Sequence, residues 1–235
     1  MKLLTIRSIS FAAATLAMAA SANALTIDWS GLQGTSTIAF SQSAISLFKA
    51  NGGRVNALGN TTAVLPAGSP ATAAAWTFVL PITSITITPT LKIGSGQASG
   101  SALDIVRKVA DEDGNVLTSG IVLANFILDY TNKKVLADST THGAATLPKF
   151  AVFNFNVATP LALKYKFPLS ITGHEVLDKL ALTSPAVDLF ATSLGLSGDA
   201  VLALVAGTDF GTLTQDIAVM VRKPAASKTP YVPAP

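Results

Sequence analysis

His142 and His174 are the only imidazoles in this 235-residue chain, so any histidine-based chemistry runs through one of them. His142 lies in the polar stretch STTHGAAT, and His174 lies in SITGHEVLD beside Glu175. A hydrolase triad needs a nucleophile, a histidine base and a carboxylate. No G-x-S-x-G elbow is present to lift a serine at a strand-to-helix turn. Ser46-Leu47-Phe48-Lys49 fits S-x-x-K, but the companion S-D-N and K-T-G motifs are absent. No residue is therefore given a catalytic role, and the chain reads as non-enzymatic.

Metal chemistry has little to build on. The stretch DEDGN offers Asp111, Asp113 and Asn115 as oxygen ligands for calcium. An EF-hand loop has its glycine sixth and a bidentate glutamate twelfth. Counted from Asp111, the glycine is fourth and Val122 is twelfth, so these three residues could form only an irregular calcium site. An exposed hairpin turn is the simpler reading. Zinc wants three or four nitrogen, sulfur or carboxylate ligands. Two histidines, two glutamates and no cysteine supply them poorly. Aspartates remain available for paired-carboxylate chemistry, but they fall mostly at strand ends and turns, where solvation accounts for them. Trp29 and Trp76 read as core or rim residues.

The segments that would position these groups begin after a leader. Residues 1–7 carry Lys2 and Arg7, residues 9–20 form a short apolar run, and Ala22-Asn23-Ala24 is a small-x-small cleavage site. These are the three regions of a secretory signal peptide over 1–24. Removing Lys2 and Arg7 from the 16 basic residues leaves 14 against 13 acidic ones. Basic residues pair only at 107–108, 133–134 and 222–223, so nucleic acid is not an expected partner. The absence of cysteine excludes disulfides and thiolate metal sites. No stretch after residue 25 reaches the roughly 18 apolar residues of a membrane helix.

Residues 25–222 read as one β-rich domain. Leu25, Ile27 and Trp29 alternate with Thr26, Asp28 and Ser30, and strand character resumes over 35–40. Residues 41–50 suit a helical turn or a strand, and 55–75 read as loop. Pro81 and Pro89 put WTFVLPITSITITPT at an edge or a bend. Residues 102–109 and 116–118 flank a DEDGN hairpin turn. Residues 121–130 are apolar on both faces, which calls for burial on both sides. FAVFNFNVA and LALKYKFPLSI alternate. One helix is predicted with Ser184 as N-cap, Pro185 at its first position, and Gly195 as its stop. A second short helix fits 199–205. Residues 223–235 form a proline-rich tail predicted to be flexible. The expected fold is mainly β: an antiparallel β-sandwich or related closed sheet, with one or two short helices near the C-terminus.

Three stretches carry a family resemblance: FVLPITSITI…GSGQASGSALDI, IVLANFILDYTNKKVLAD and LALTSPAVDLFATSLGL…AGTDFGTLTQDIAV. In that order they resemble the HtaA-type domain, a β-rich exported domain of bacterial surface proteins. They are also similar in style to exported proteins with PEP-CTERM sorting tails, although TPYVPAP lacks the apolar anchor and basic end of such a tail. The resemblance implies surface display, and haem binding through tyrosine and histidine. Phe48 stands where the resemblance implies an early tyrosine, and Gln97-Ala98-Ser99-Gly100 where it implies a His-Gly element. Tyr130, Tyr165 and His174 are left as candidate haem-binding residues, with His142 beside them.

Two functional readings follow. The first is an exported bacterial β-protein that acts by binding or assembly at the cell surface or in the extracellular matrix, its partner a surface component or a second copy of itself. Low charge and many Thr, Ser and Ala side chains suit sheet surfaces that meet other chains. The second is a binding module for haem or another apolar ligand.

Overall fold

The computed structural model describes residues 24–90, 92–110, 113–166 and 170–234. The leader, Asp111 and Glu112 lie outside the described residues.

Alternating apolar residues form one long antiparallel sheet. It includes β1 (Leu25–Asp28), β2 (Leu32–Phe40), β3 (Gly53–Gly59), β4 (Thr62–Val64), β5 (Thr77–Pro81) and β6 (Ser84–Ile87). The long strands are β7 (Ile93–Ala110), β8 (Val116–Asp129), β9 (Lys134–Thr141), β10 (Thr146–Lys166), β11 (Ser170–Leu182) and β12 (Gly211–Val221). From β7 to β12 each strand pairs with the next; β12 then pairs with β2, and β2 with β5.

The curled sheet comes back on itself at a seam where one strand changes partner. β5 pairs with β2, whereas β6, two residues further on, pairs with β7. At the junction the Ile82 N–H donates to Gly34 O at 2.9 Å and the Thr83 N–H to Gln97 O at 2.8 Å. Pro81 has no N–H to give and sits where the ladder switches sides. β3 occupies the other half of the β7 edge and runs on into β4, which pairs with β5. The expected closed sheet is thus a single curled one, closed through bends in the chain. Within residues 55–75, read as loop, most of β3 and all of β4 are strand.

The interior is filled by Phe78, Leu103, Ile105, Ile121, Leu123, Val152, Leu177 and Leu180, all but inaccessible. The space remaining inside is a cavity of about 30 Å³, room for about one water. One end of the barrel is stoppered by helices. These are α1 (Gln42–Ala50), α2 (Ser184–Leu194) and α3 (Asp199–Gly207). The first was left open between helix and strand by its sequence; Ser41 decides it by accepting from the Ala44 N–H. The cap of α2 is Thr183, one residue before the predicted Ser184, and Pro185 still falls in the first turn. Phe40, Phe48, Trp76, Phe78 and Phe210 interlock under the helices, with ring centroids 5.5–6.4 Å apart. Arg107 ties the ends of α1 and α2 together, donating to Asn51 O, Leu194 O and Gly195 O.

Residues 223–234, read as a flexible tail, lie against the outside of the sheet. The Ala226 N–H donates to Ser30 O, Lys228 pairs with Asp28 at 2.6 Å, and Asn125 bonds both the N–H and the C=O of Tyr231. Tyr231 and Leu58 cover the outward-facing Ala102, Val122 and Ala124. That contact explains why residues 121–124 are apolar on both faces.

Candidate functional site: an apolar cup at the barrel mouth

The end opposite the helices is open. The first half of β2, the ends of β8 and β12, and the start of β7 and β11 all lie there, by the strand registers. Together with β1, β6 and β10 they surround a cup of about 660 Å³. Trp29, Ile85, Leu161, Leu163, Ile171 and Ile217 are among its apolar walls, and Lys92 is the cation on its rim.

Tyr130 and Glu175 are the polar groups facing this cup with Lys92. Glu175 follows Gly173 and precedes Leu177 on the inner face of β11, and is 4% exposed. The Tyr130 hydroxyl donates to Glu175 Oε2 at 2.5 Å, and the Leu161 backbone N–H also bonds the carboxylate. Phe155 holds the phenol ring edge-on, at 6.0 Å between centroids. Burial pushes the Glu175 carboxyl above its usual range, against the pull of both donors. Burial and the neighbouring carboxylate push the Tyr130 phenol well above its ordinary value, so it stays protonated. On neighbouring strands Gln215 stands opposite Glu175, and Ser36 opposite Gln215. The Gln215 amide donates to Ser36 Oγ at 2.8 Å. A polar belt therefore separates the cup from the sealed interior.

Tyr130 reaches the cup because of a bulge. In the first half of β8, Ile121 and Leu123 face inward. Asn125 has φ 53°, and the register with β9 slips between Ala124 and Ile127. Past it Phe126, Leu128 and Tyr130 face inward instead. Gly100, with φ 74°, makes the matching switch in β7, and its N–H donates to the Asn125 side chain.

The sequence-derived candidates separate here. Tyr130 is in the cup. Tyr165 lies on the outer end of β10 and is 64% exposed. His174, next to Glu175, points to the outer face and bonds Asp216 at 2.8 Å. His142 is on the outer surface too, bonded to Asp104 at 2.8 Å over Gly120. The candidate haem-binding residues do not converge, and the one in the cup is a neutral phenol already engaged by Glu175. The residues present do not fit an iron-bound haem. Asp113 and Asn115 lie exposed in the turn between β7 and β8. Among the described residues no group of three or more His, Cys, Asp or Glu could hold a metal ion. Glu175 is the site residue that sequence reasoning missed, and Trp29, read as a core or rim residue, stands in the cup's wall. A lone glutamate in the alternating run GHEVL, at the position in step with Leu177, was the signal for an inward carboxylate.

No protein-family model matches the sequence, and no curated protein matches it. Among solved structures, the C-terminal domain of HtaA from Corynebacterium glutamicum is similar, with a TM-score of 0.46 and 12% identity over 80% of this chain and 98% of that chain. It is the type of domain that the three apolar stretches resemble. Function is read from this chain's own geometry.

Proposed function

We propose that the chain is an exported, non-enzymatic binding module whose ligand seat is the cup at the barrel mouth. The observation that carries this is the 660 Å³ apolar recess floored by a buried phenol–carboxylate pair. Its volume lies within the roughly 300–1,000 Å³ of small-molecule sites, and barrel mouths are common places for them. The interior cavity of about 30 Å³ is far too small to share the role. The ligand is apolar and sits in the cup without iron ligation. The two His–Asp pairs lie on outer faces. Export rests on the leader sequence; no helix among the described residues is long and apolar enough to cross a membrane.

Binding of a ligand is favoured over assembly through sheet edges by the volume and the apolar lining of the cup. The test is titration of the mature protein with the uncharged apolar dye N-phenyl-1-naphthylamine, followed by dye emission and by tryptophan fluorescence. The expected result is saturable binding that is lost in Leu161→Trp, where the added ring fills the cup. Binding unchanged in that variant, with its fold intact by circular dichroism, overturns the cup as the seat.

A further inference from the structure

The floor of the cup selects the polar end of its ligand. The Tyr130 hydroxyl has one proton, and it is spent on Glu175. What the pair turns to the cup is therefore acceptor capacity. The phenol oxygen keeps its lone pairs. The carboxylate has about four acceptor positions, of which Tyr130 and Leu161 use two. Lys92 is the one cation among the lining residues, and it is exposed at the rim, not at the floor. Walls of Trp29, Ile85, Leu161 and Ile217 ask for a hydrocarbon body.

From this we propose that the cup takes amphiphiles inserted head first, whose head donates hydrogen bonds to Glu175 and Tyr130: a hydroxyl or a protonated amine. Carboxylate-headed lipids are rejected, because an anionic acceptor would meet a buried acceptor with no free donor between them. The inference rests on the cup being the ligand seat.

Three probes of equal chain length separate the possibilities: dodecanol, dodecylamine and dodecanoate, each titrated below its micellar concentration at neutral pH and followed by calorimetry. Dodecanol or dodecylamine is expected to bind at least about tenfold more tightly than dodecanoate, one hydrogen bond's worth of discrimination. A preference for the alcohol marks a neutral hydroxyl ligand, and one for the amine a cationic ligand. Glu175→Gln, which offers the amide as a donor, is expected to shrink the preference to within about threefold. Dodecanoate binding as tightly as both others, in the parent protein, overturns the proposal and leaves the cup standing as an apolar site. Failure of all three to bind removes the cup as a seat, and this inference with it.

Discussion

A carboxylate on the inner wall of a barrel is stable there only as far as its donors allow. Burial raises the Glu175 carboxyl, while Tyr130 and Leu161 lower it, and the net direction is upward. A folded-state value above the unfolded one means the folded state binds that proton more tightly. The contribution of Glu175 to stability is therefore fully present below the unfolded carboxylate value, and is lost as pH rises through the folded one. Glu175→Gln keeps an oxygen to accept the Tyr130 proton and removes the buried charge. Its melting temperature is expected to exceed that of the parent at neutral pH, the gain shrinking towards about pH 4, where both forms are neutral. Tyr130→Phe leaves the carboxylate short of a donor and is expected to lower stability by about 1–3 kcal/mol. Thermal unfolding across pH checks both. A Glu175→Gln protein less stable than the parent at pH 7 contradicts the assignment.

The bend between β5 and β6 is the element on which closure of the sheet depends. Thr83 is 1% exposed, and its hydroxyl donates to Gln97 O at 3.2 Å and accepts from the Ser99 N–H at 3.0 Å. It thereby stitches the bent strand to β7 at the point where the chain changes partner. Thr83→Val is nearly isosteric but takes the partner from the Ser99 N–H and one of two donors from Gln97 O, which keeps the Thr83 N–H. The expected loss is about 1–3 kcal/mol by urea denaturation. A smaller effect at the half-buried Thr86, whose hydroxyl bonds the Thr26 side chain, changed in the same way, would show that the cost belongs to the seam and not to a general loss of hydroxyls.

At the scale of the whole molecule, the last residues are fastened by contacts spread over the chain. Lys228 and Ser30 hold the Asp28 carboxyl well below the usual carboxylate range. A depressed folded-state value gives stability above the unfolded value that is lost as pH falls through the folded one, so this anchor weakens on acidification. Asn125 and Asn60 grip the tail backbone from the two sides of β7, at Tyr231 and Ser227. Truncation after Arg222 uncovers Ala102, Val122 and Ala124 and frees the side chain that braces the bulge in β8. Hydrogen exchange is expected to show the Ala226 and Tyr231 amides protected in the full chain. The truncated form is expected to exchange faster at residues 124–128. Unprotected tail amides would mean that the tail is as free as its prolines suggested.

Much of the architecture was legible because hydrophobic alternation is a local property. The closed antiparallel sheet, the turn at Asp113-Gly114, the bend near Pro81 and the helices around Pro185 and residue 199 each follow from a few adjacent residues. What alternation cannot carry is a change of phase. Continued from Ile121 and Leu123, it would turn Asn125, Ile127 and Asp129 inward and Tyr130 outward. A left-handed Asn125, matched by Gly100 on the next strand and tied to Tyr231 a hundred residues away, reverses that order. Only then do Tyr130 and Glu175, 45 positions apart, meet at the floor of the cup. The same register turns His174 away from its neighbour Glu175, because successive residues of a strand face opposite sides. The inventory of side chains was thus set by sequence, whereas their meeting depended on long-range pairing and on two bulges whose conformation is fixed by partners far along the chain.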